Sequence, residues 1–469
     1  MHLRLGSYHT VVASSAEATR LVLKTHDFAF ADRPSTAAGA ITAYGYLGIV
    51  HTPCGAYWRM ARKLCATELF SARRVDSFRR VWAQEMRELV RGLFECAGRG
   101  AVAVREHVAG ATMRNILRMA VGEKWSGCYG SPEGEEFRRT LDEAFAATGA
   151  VSNIGEWVPW LGWLDVQGFK RKMKRLHDLH DHFYEKILVE HEERRRLAQA
   201  GGEFVATDLV DVLLQLAEDT QTQESEARIP RDGVKAFIQD IIGGGTESSA
   251  VTIEWAMSEL LRHPEAMAAA TAELDRVVGS GRWVAERDLP ELPYIDAVVK
   301  ETLRLHPVGP LLVPHHARED TVVAGYDVPA GARVLVNEWA IAHDPASWPD
   351  APDAFRPDRF LGAAVDVRGA YFELLPFGSG RRICPAYDLA MKLMAAGVAN
   401  LVHGFAWRLP AGRGGARGRE HEGARRAVHA PDGAARRRHR AQAAGAPLRR
   451  YRLIGFTLWT KIGILLTSA

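Results

Sequence analysis

The feature that most restricts the fold is a long helical pattern in the middle of the chain. It begins at Asp232, a residue type that caps helices, and runs to about His263, just before Pro264. Some 30 residues at about 1.5 Å each span roughly 45 Å, which is the width of a whole domain. This helix is therefore expected to cross a large domain from one side to the other.

The centre of this helix carries three successive glycines, in the segment Ile241-Ile-Gly-Gly-Gly-Thr-Glu-Ser-Ser249. Each glycine costs about 1 kcal/mol relative to alanine in a helix interior, so the run indicates that another group must approach the backbone closely. The Ser248 hydroxyl can hydrogen-bond to the carbonyl four residues earlier and open the helix ladder. Glu247 beside it can relay protons. The alternative is a kinked helix whose Glu247 and Ser249 side chains are solvated.

The rest of the chain also carries mainly helical patterns. Apolar residues at helical spacing predict helices at Ala16–His26, Ala56–Leu64, Asp76–Phe94, Gly134–Ala147, Phe169–Gln199, Asp208–Ala217 and Tyr294–Leu305. Shorter patches predict a small β region, at Leu3–Leu5, Thr10–Val12, Thr321–Val323 and Arg333–Val336. An apolar fraction of 47% and a charged fraction of 25% are typical of a soluble globular protein with a large core. The predicted fold class is mainly α with a small β region.

One of the five widely separated cysteines lies in a glycine-rich loop. Gly378 and Gly380 permit a tight turn whose amide N–H groups can point at the Cys384 sulfur. With Arg381 and Arg382 nearby, such donors favour a thiolate over a thiol. A hydrogen-bonded thiolate is what a haem iron needs to activate an O–O bond. The alternative is a buried free cysteine, because no CxxC pair or Cys/His cluster suggests zinc.

The cysteine loop resembles that of the cytochrome P450 superfamily. Its pattern F-x-x-G-x-R-x-C-x-G is matched by Phe377, Gly380, Arg382 and Cys384, whereas Ala386 stands where glycine is usual. The resemblance implies the P450 fold and a haem b (iron protoporphyrin IX) with Cys384 as the axial thiolate ligand. The methyl group of Ala386 is expected to crowd the haem face.

Two further motifs follow the order of the family. Glu301-Thr-Leu-Arg304 matches E-x-x-R, and Phe355-Arg-Pro-Asp-Arg-Phe360 matches a later F-x-P-x-R-F element. Considered alone, a Glu–Arg pair three residues apart is usually an exposed salt bridge worth a few tenths of a kcal/mol. The resemblance implies instead that Glu301, Arg304 and Arg359 form a buried triad that supports the cysteine loop.

The resemblance also assigns contacts to the haem. Trp58 and Arg62 lie one helical turn apart on the same face, which is the arrangement that binds a propionate in the family. An amphipathic helix with one aromatic residue and one surface arginine is the alternative. His315 resembles a further propionate contact, although His316 is adjacent. The implied cofactor-binding residues are Trp58, Arg62, His315, Phe377 and Arg382.

The glycine-containing segment of the long helix resembles the oxygen-activation segment of the family. Glu247 and Ser248 match the acid–alcohol pair, with serine where threonine is usual. Substrate contacts are implied for Tyr44, Phe237, Asp240, Ile241, Val308 and Leu311. These residues are mostly apolar, which suits a planar or terpenoid-like molecule, although apolar stretches are more often part of a core.

The expected reaction is the insertion of one O atom from O2 into an apolar organic substrate. Electrons are expected from NADPH through a separate NADPH-cytochrome P450 reductase, because no flavin or dinucleotide fingerprint is found. Together these motifs resemble plant A-type members that hydroxylate flavonoids, phenolics or terpenoids. The most specific prediction is a flavonoid 3'-hydroxylase-like role. The alternatives are a haem protein impaired by a damaged gene and an O2-independent haem-thiolate isomerase or dehydratase. Family resemblance implies the cytoplasmic face of the endoplasmic reticulum membrane.

The resemblance covers residues 1–410, the expected catalytic domain, and stops there. Between Ala411 and Arg450 there are eleven Arg, eleven Ala and seven Gly, against three acids. This bias is typical of a GC-rich coding region read in the wrong frame, and we expect residues 411–469 to be disordered or only partly helical. An Arg-rich nucleic-acid arm is the alternative, but aromatic interleaving is lacking, so no nucleic acid is expected. The start at Met1 suggests that an N-terminal anchor is missing.

Overall fold

A computed structural model describes residues 1–97, 101–126, 131–148, 153–201, 204–218, 228–408 and 428–429. The architecture is mainly helical, as predicted. The helices are α1 (Ala16–Arg20), α2 (Ala37–Thr42), α3 (Ala56–Leu64), α4 (Ala72–Ser77), α5 (Arg79–Cys96), α6 (Val104–Val121), α7 (Glu123–Ser126), α8 (Pro132–Thr148), α9 (Ile154–Trp157), α10 (Phe169–Gly201), α11 (Leu209–Glu218), α12 (Arg231–Arg262), α13 (Pro264–Val277), α14 (Pro293–Leu305), α15 (Glu338–Ala342) and α16 (Tyr387–Gly404).

The β region is small, and most of it comes from residues 2–13 and 315–336. The strands are β1 (His2–Leu5), β2 (Tyr8–Ala13), β3 (Ala101–Val102), β4 (His315–His316), β5 (Thr321–Val323), β6 (Tyr326–Val328), β7 (Arg333–Val336) and β8 (Val428–His429). The largest sheet has the order β1-β2-β7-β4, in which β2 and β7 are parallel and the other neighbours antiparallel. In this sheet β7 lies between β2 and the strand that contains His315, which forms the edge opposite β1.

The long helix α12 is the central element. It packs against α6, α14 and α16, and its apolar residues belong to the two largest hydrophobic clusters. Its N-terminal residues, such as Phe237, lie in one cluster, and its C-terminal residues, such as Met257, lie in the other. At its start the N-cap is Pro230, so Asp232 lies in the first turn and the predicted capping role is wrong. The predicted end is correct within one residue.

Two predicted helices contain interruptions. The pattern at Ala16–His26 folds as α1 followed by a π-turn at Leu21–Thr25, because the His26 amide donates to the carbonyl five residues earlier. The pattern at Asp76–Phe94 is divided between α4 and α5 at Phe78, whose side chain is buried. The Ser77 hydroxyl donates to the Arg74 carbonyl at this break, which competes with helix propagation.

Most of the region after residue 408, which includes most of the predicted tail, lies outside the described residues. The exception is β8, which pairs antiparallel with β3, so disorder is not found at these two positions. Within the described part of the chain, no helix is both long enough and apolar enough to cross a membrane.

Candidate functional site

The cysteine loop forms a tight turn that only glycine can occupy. Gly378 and Gly380 have φ angles of +71° and +64°, in the left-handed region that favours glycine. A Cβ atom on Gly380 would lie 2.4 Å from the Leu23 carbonyl oxygen. The Cys384 amide donates to the Phe377 carbonyl at 2.9 Å, which closes the loop just before α16 begins. The turn therefore fixes the cysteine at the start of a helix.

The charge environment of Cys384 differs from the sequence expectation. Burial raises the pKa of the Cys384 thiol, and this effect exceeds the opposing effects of the Ala386 amide and Arg62. Arg381 instead pairs with Asp27 at 3.1 Å, and Arg382 donates to the Ala31 carbonyl. The expectation that these two arginines favour a thiolate is therefore wrong. In this environment the thiolate needs a metal ion to stabilise it.

Ala386 fits its position without backbone strain. Its φ of −107° is in a region open to all residues, and its side chain packs against apolar residues beside α16. A glycine is therefore not required there by backbone conformation.

One buried and two half-buried arginines converge next to this loop. Arg62 donates to the Ile383 carbonyl at 2.8 Å, and Arg382 donates to the carbonyls of Ala31 and Thr52 at 2.7 Å. Arg33 donates to the carbonyls of Val313 and Pro314 at 2.7 and 2.8 Å. We call Arg33, Arg62, Arg382 and the indole of Trp58, which lies 4.6 Å under the Arg382 guanidinium, the cation cluster.

The cation cluster carries more positive than negative charge. Burial lowers the pKa of Arg33 to about 9 and that of Arg382 to about 10, with mutual repulsion as a further cause. The pKa of Arg62 is also lowered, mainly by burial. Among the described residues, Asp32 is the one carboxylate whose field opposes this shift at Arg33 and Arg382. The cluster is therefore built to receive an anion.

Unsatisfied polar atoms support this interpretation. Trp58 Nε1 and Arg382 Nη1 are buried and have no hydrogen-bond partner among the residues that the structure describes. Such groups cost about 1–3 kcal/mol each unless a ligand or water satisfies them. Haem carries two propionates, and these carboxylates match both the charge and the free donors. The residues present therefore fit the cofactor.

His315 is positioned differently from the arginines. Its Nδ1 lies 2.8 Å from the Phe30 carbonyl oxygen, so the ring nitrogen must donate. Burial, with Arg33 and Arg382 as further causes, lowers the pKa of His315 to about 3. The imidazole is therefore neutral, and its Nε2 can accept but not donate a hydrogen bond. In this state it cannot supply a proton to a propionate.

The predicted triad residues lie together and are buried. Arg304 binds both oxygens of Glu301, at 2.7 and 2.9 Å, and Arg359 Nε donates to the same carboxylate at 3.0 Å. Glu301 and Arg304 are fully buried. The other guanidinium N–H groups donate to backbone carbonyls of Ala342, Asp350, Ala351, Pro352 and Ala354. The triad therefore ties α14 to the segment that precedes the cysteine loop.

The middle of α12 offers open space on one side. The Ser248 hydroxyl donates to the Gly244 carbonyl at 2.7 Å, as predicted. The helix nevertheless stays continuous here, so the predicted opening of its ladder is wrong. A Cβ on Gly245 would lie 2.9 Å from Ile116 of α6, whereas one on Gly243 or Gly244 would meet no described atom within 4 Å. Gly245 thus permits close packing of α12 on α6, and Gly243 and Gly244 leave open space beside the helix.

Glu247 points away from solvent into an ion-pair network. Arg105 of α6 donates to Glu247 at 2.5 Å and to Glu254 at 2.9 Å. The Asp142 carboxyl of α8 also hydrogen-bonds to Glu247. The alternative of a solvated Glu247 is therefore wrong in this structure.

The family model described as cytochrome P450 matches residues 1–420. The chain belongs to the cytochrome P450 family.

The relatives of this P450 are plant enzymes of the A-type. Over 418 residues it is 88% identical to a dimethylnonatriene synthase of Zea mays, with 88% of this chain and 79% of that protein covered. It is 78% identical over 424 residues to a trimethyltridecatetraene synthase of Zea mays, covering 88% and 76%. A flavonoid 3'-monooxygenase of Oryza sativa subsp. japonica is 41% identical over 419 residues, covering 87% and 78%.

Solved structures agree with these relatives. A zebra fish cytochrome P450 determined with abiraterone has a TM-score of 0.71 and 27% identity, covering 92% of this chain and 94% of that one. The predicted fold and the haem cofactor are therefore confirmed, and the chain is a P450 monooxygenase. As in the family generally, it uses O2 and a redox partner to oxidise an organic substrate.

The P450 pocket residues expected from the sequence lie in different settings. Phe237 is fully buried in the core of this structure, and its contact with substrate stays a prediction. Asp240 accepts hydrogen bonds from the amides of Ile49 and Val50, and thus holds a loop. Tyr44 donates to Asp181 at 3.0 Å. Ile241 and Leu311 are mostly buried and Val308 is partly exposed, which leaves apolar edges available.

Two groups of this P450 site were missed in the sequence. The first is Arg33, which donates to the Val313 carbonyl, 280 residues away in the chain. The second is His51, whose pKa is lowered to about 4, mainly by burial and further by the charges of Arg33 and Arg382. Arg33 stands between Asp32 and Pro34. Neighbouring charged residues of opposite sign are normally exposed, so nothing in the sequence singled out Arg33.

Proposed function

We propose that this P450 is a terpenoid monooxygenase of plant specialised metabolism, supplied with electrons from NADPH by NADPH-cytochrome P450 reductase. The observation that carries the proposal is the 88% identity to a protein named dimethylnonatriene synthase, together with the 78% identity to a trimethyltridecatetraene synthase. Both names describe branched, unsaturated hydrocarbons as products. We propose that this chain makes a product of the same kind from an acyclic terpenoid.

The apolar edges beside α12 support a terpenoid substrate. Ile241, Val308 and Leu311 contribute aliphatic surface, and Gly244 leaves space beside them on the long helix. A flexible aliphatic chain gains mainly from such burial, at about 25 cal/mol per Å². A flavonoid would need hydrogen-bond partners for its hydroxyl groups. The 41% identity to a flavonoid 3'-monooxygenase is therefore the weaker support.

The cofactor is held in this proposal by Cys384 and the cation cluster. Cys384 would supply the thiolate that holds the haem iron, and Arg62, Arg382 and Trp58 Nε1 would donate hydrogen bonds to the haem propionates. Phe377 and the neutral His315 then contribute packing and shape rather than charge. When bound there, the haem supplies the iron centre at which O2 is reduced. The Glu301 triad keeps the loop rigid so that the sulfur does not move.

The residues Glu247 and Ser248 handle protons in this proposal. Ser248 lies beside the open space at Gly244 and keeps its hydroxyl oriented by the Gly244 carbonyl. Glu247, the preceding residue, contributes its carboxylate as the other member of the relay. Reduction of one O atom of O2 to water consumes two protons, and these residues deliver them. An O2-independent isomerase or dehydratase has no use for such a relay.

We further propose that residues 1–410 form the catalytic domain and that it works at the endoplasmic reticulum membrane. The support for membrane association is an exposed apolar surface between α9 and α10. The side chains of Trp160 and Trp163 are 71% and 77% exposed, and Val166 is 72% exposed. Interfacial tryptophans favour the headgroup region of a membrane.

The test combines spectra and turnover. We expect acyclic terpenoid alcohols to cause a spin-state shift in the haem spectrum, and product to form with NADPH and reductase. The variant Cys384→Ala should lose the thiolate-type spectrum of the reduced carbon monoxide complex. Cys96→Ala, which changes a half-buried cysteine elsewhere, should keep it. Product formation without NADPH would favour the isomerase alternative. Haem binding without turnover of terpenoids or flavonoids would favour an impaired protein.

A further inference from the structure

A pair of hydrogen-bonded carboxyl groups lies on the outer side of α12. Asp142 of α8 and Glu247 of α12 share a hydrogen bond, and two carboxyl groups can do so only if one of them carries a proton. Arg105 contacts Glu247 at 2.5 Å, whereas the nearest cation of Asp142 is Arg138 at 3.4 Å. Asp142 therefore has the weaker cation contact of the two, and we assign the proton of the pair to it.

The charges that face Asp142 come from three helices. Arg138 of α8 lies 3.4 Å from its carboxylate oxygen, Glu247 comes from α12 and Arg105 from α6. Glu254 of α12 is bound to the other arm of Arg105. The remaining neighbour, α10, presents Arg175, which is paired with Glu143 at 2.7 Å.

Burial, with the Glu247 charge as the next cause, raises the pKa of Asp142 to about 7. Arg138 and Arg105 oppose this shift without cancelling it. Asp142 therefore exchanges its proton close to neutral pH, where a large fraction of the group is protonated. A group of this kind suits proton transfer.

The pair also has access to solvent and space for water. The Asp142 side chain is 26% exposed, compared with 15% for Glu247, so Asp142 is the outer member. Both line a cavity of about 20 Å³, enough for one water, together with Gly243, Thr246 and Arg138. Gly243 lies one helical turn before Glu247 and has no Cβ. A Cβ atom at this position would meet no described atom within 4 Å, so the wall beside Glu247 is open.

We propose that Asp142 is the proton source for Glu247, so that the relay to the O2 site begins at α8. The Asp142 O–H bond breaks as Glu247 takes its proton, Glu247 passes a proton on towards Ser248, and solvent reprotonates Asp142 through the cavity. No electrons move in this sequence, and the protons are those that O2 reduction consumes. Asp142 acts through Glu247 and is therefore a positioning residue. The inference rests on the proton relay of the proposed function.

The test uses the holoenzyme with its reductase and a spin-shifting substrate. In Asp142→Asn, haem content and the spin shift should be unchanged, product per NADPH should fall roughly tenfold, and peroxide should rise. Wild-type coupling should fall as the pH rises through about 7, because Asp142 loses its proton there. Coupling in Asp142→Asn should be low and independent of pH over the same range. Asp142→Glu should restore both the coupling and its pH dependence. Glu143→Gln, on the same helix, should behave like wild type.

An infrared measurement supplies a readout that does not depend on turnover. The C=O band of a protonated carboxyl group at neutral pH should be absent in Asp142→Asn. In Glu247→Gln it should titrate at lower pH, because the neighbouring charge that raises the Asp142 pKa is gone. Normal coupling and a normal pH profile in Asp142→Asn overturn the inference. If Glu247→Gln and Ser248→Ala still uncouple the enzyme in that case, the relay stands without Asp142. If these two substitutions also leave the coupling unchanged, the proposed proton relay is wrong.

Discussion

Two arginine clusters largely shielded from solvent differ in how their charge is compensated. In the triad, Arg304 and Arg359 surround one carboxylate, Glu301, and their remaining donors reach backbone carbonyls. The other is the cation cluster of Arg33, Arg62 and Arg382, whose nearest opposing carboxylate in the described chain is Asp32. Both clusters stack a guanidinium on a tryptophan.

The difference separates a structural cluster from a binding site. Burying charge is costly unless the charges are paired, so a protein that leaves positive charge in excess must recover the cost by binding an anion. The triad has its anion built into the chain at Glu301. In the proposed site, the cation cluster would receive its anion from the haem propionates. Four predictions test this contrast, from the largest expected effect to the smallest.

The largest effect is expected at Glu301. Glu301→Gln removes the carboxylate that two buried arginines share, which leaves uncompensated charge in the core. The free energy of unfolding should fall by about 3–5 kcal/mol, with loss of haem as a consequence. Thermal unfolding and the ratio of haem absorbance to protein measure both effects. Glu88→Gln, which breaks an exposed pair with Arg91, should cost below about 0.5 kcal/mol. Equal stability of the two variants would contradict a structural role for the triad.

Glu338 provides the opposite case, a buried acid without a paired cation. Its Oε1 accepts from the Leu375 amide, while Oε2 has no partner within the described ranges. Burial raises the pKa of Glu338 to about 8. Above about pH 4.5 the unfolded chain releases the Glu338 proton, whereas the folded protein keeps it up to about pH 8. The free energy of unfolding therefore falls as the pH rises from about 4.5 to about 8.

Replacing Glu338 by glutamine should remove this pH dependence. Glu338→Gln should match wild type near pH 4.5 and become more stable as the pH rises, by on the order of 3 kcal/mol at pH 8 and above. Thermal unfolding measured from pH 5 to 9 tests the slope. Glu319→Gln, an exposed control, should follow the wild-type curve. A constant difference across pH would show that Glu338 has a cation partner and belongs with the triad.

Five residues of these sites show what a single sequence can and cannot reveal. Glu301 and Cys384 were found because their partners lie in short motifs with fixed spacing. Glu338, Arg33 and Asp142 were not found, because each acts through contacts with residues distant in the chain. The charge state of Cys384 was predicted wrongly for a related reason. Nearby arginines in sequence were assumed to face the sulfur, whereas they turn to Asp27 and Ala31.

The third prediction concerns Arg33 in the cation cluster. Arg33→Gln removes one of the charges that face the propionates, so haem should leave the protein roughly 10–100-fold faster, which corresponds to about 1.4–2.7 kcal/mol. Transfer of haem to an acceptor globin measures the rate. Arg33→Lys keeps the charge but not the bonds to Val313 and Pro314, and should retain much of the affinity. Arg59→Gln, an exposed position on α3, should have no effect.

A haem whose propionates are methyl esters makes this prediction specific. The wild type should lose the esterified haem faster than haem itself, and Arg33→Gln should lose both at similar rates, because the charge partner is already gone. If Arg33→Gln and esterification reduce retention independently, Arg33 stabilises the loop rather than the propionates. The cation cluster would then resemble the triad.

The smallest effect compares the two tryptophans. Trp58 Nε1 and Trp348 Nε1 are both buried without a hydrogen-bond partner in the described chain, so an orphan donor alone does not identify a ligand site. Phenylalanine keeps the aromatic face beneath each arginine but removes the N–H. Trp58→Phe should speed haem loss by roughly 2–10-fold, since about 0.5–1.5 kcal/mol of a hydrogen bond to a propionate is lost. Trp348→Phe should leave haem loss unchanged, because the arginines above it already have their carboxylate. Equal effects of the two changes would mean that excess charge does not distinguish the clusters, and that both tryptophans act through packing.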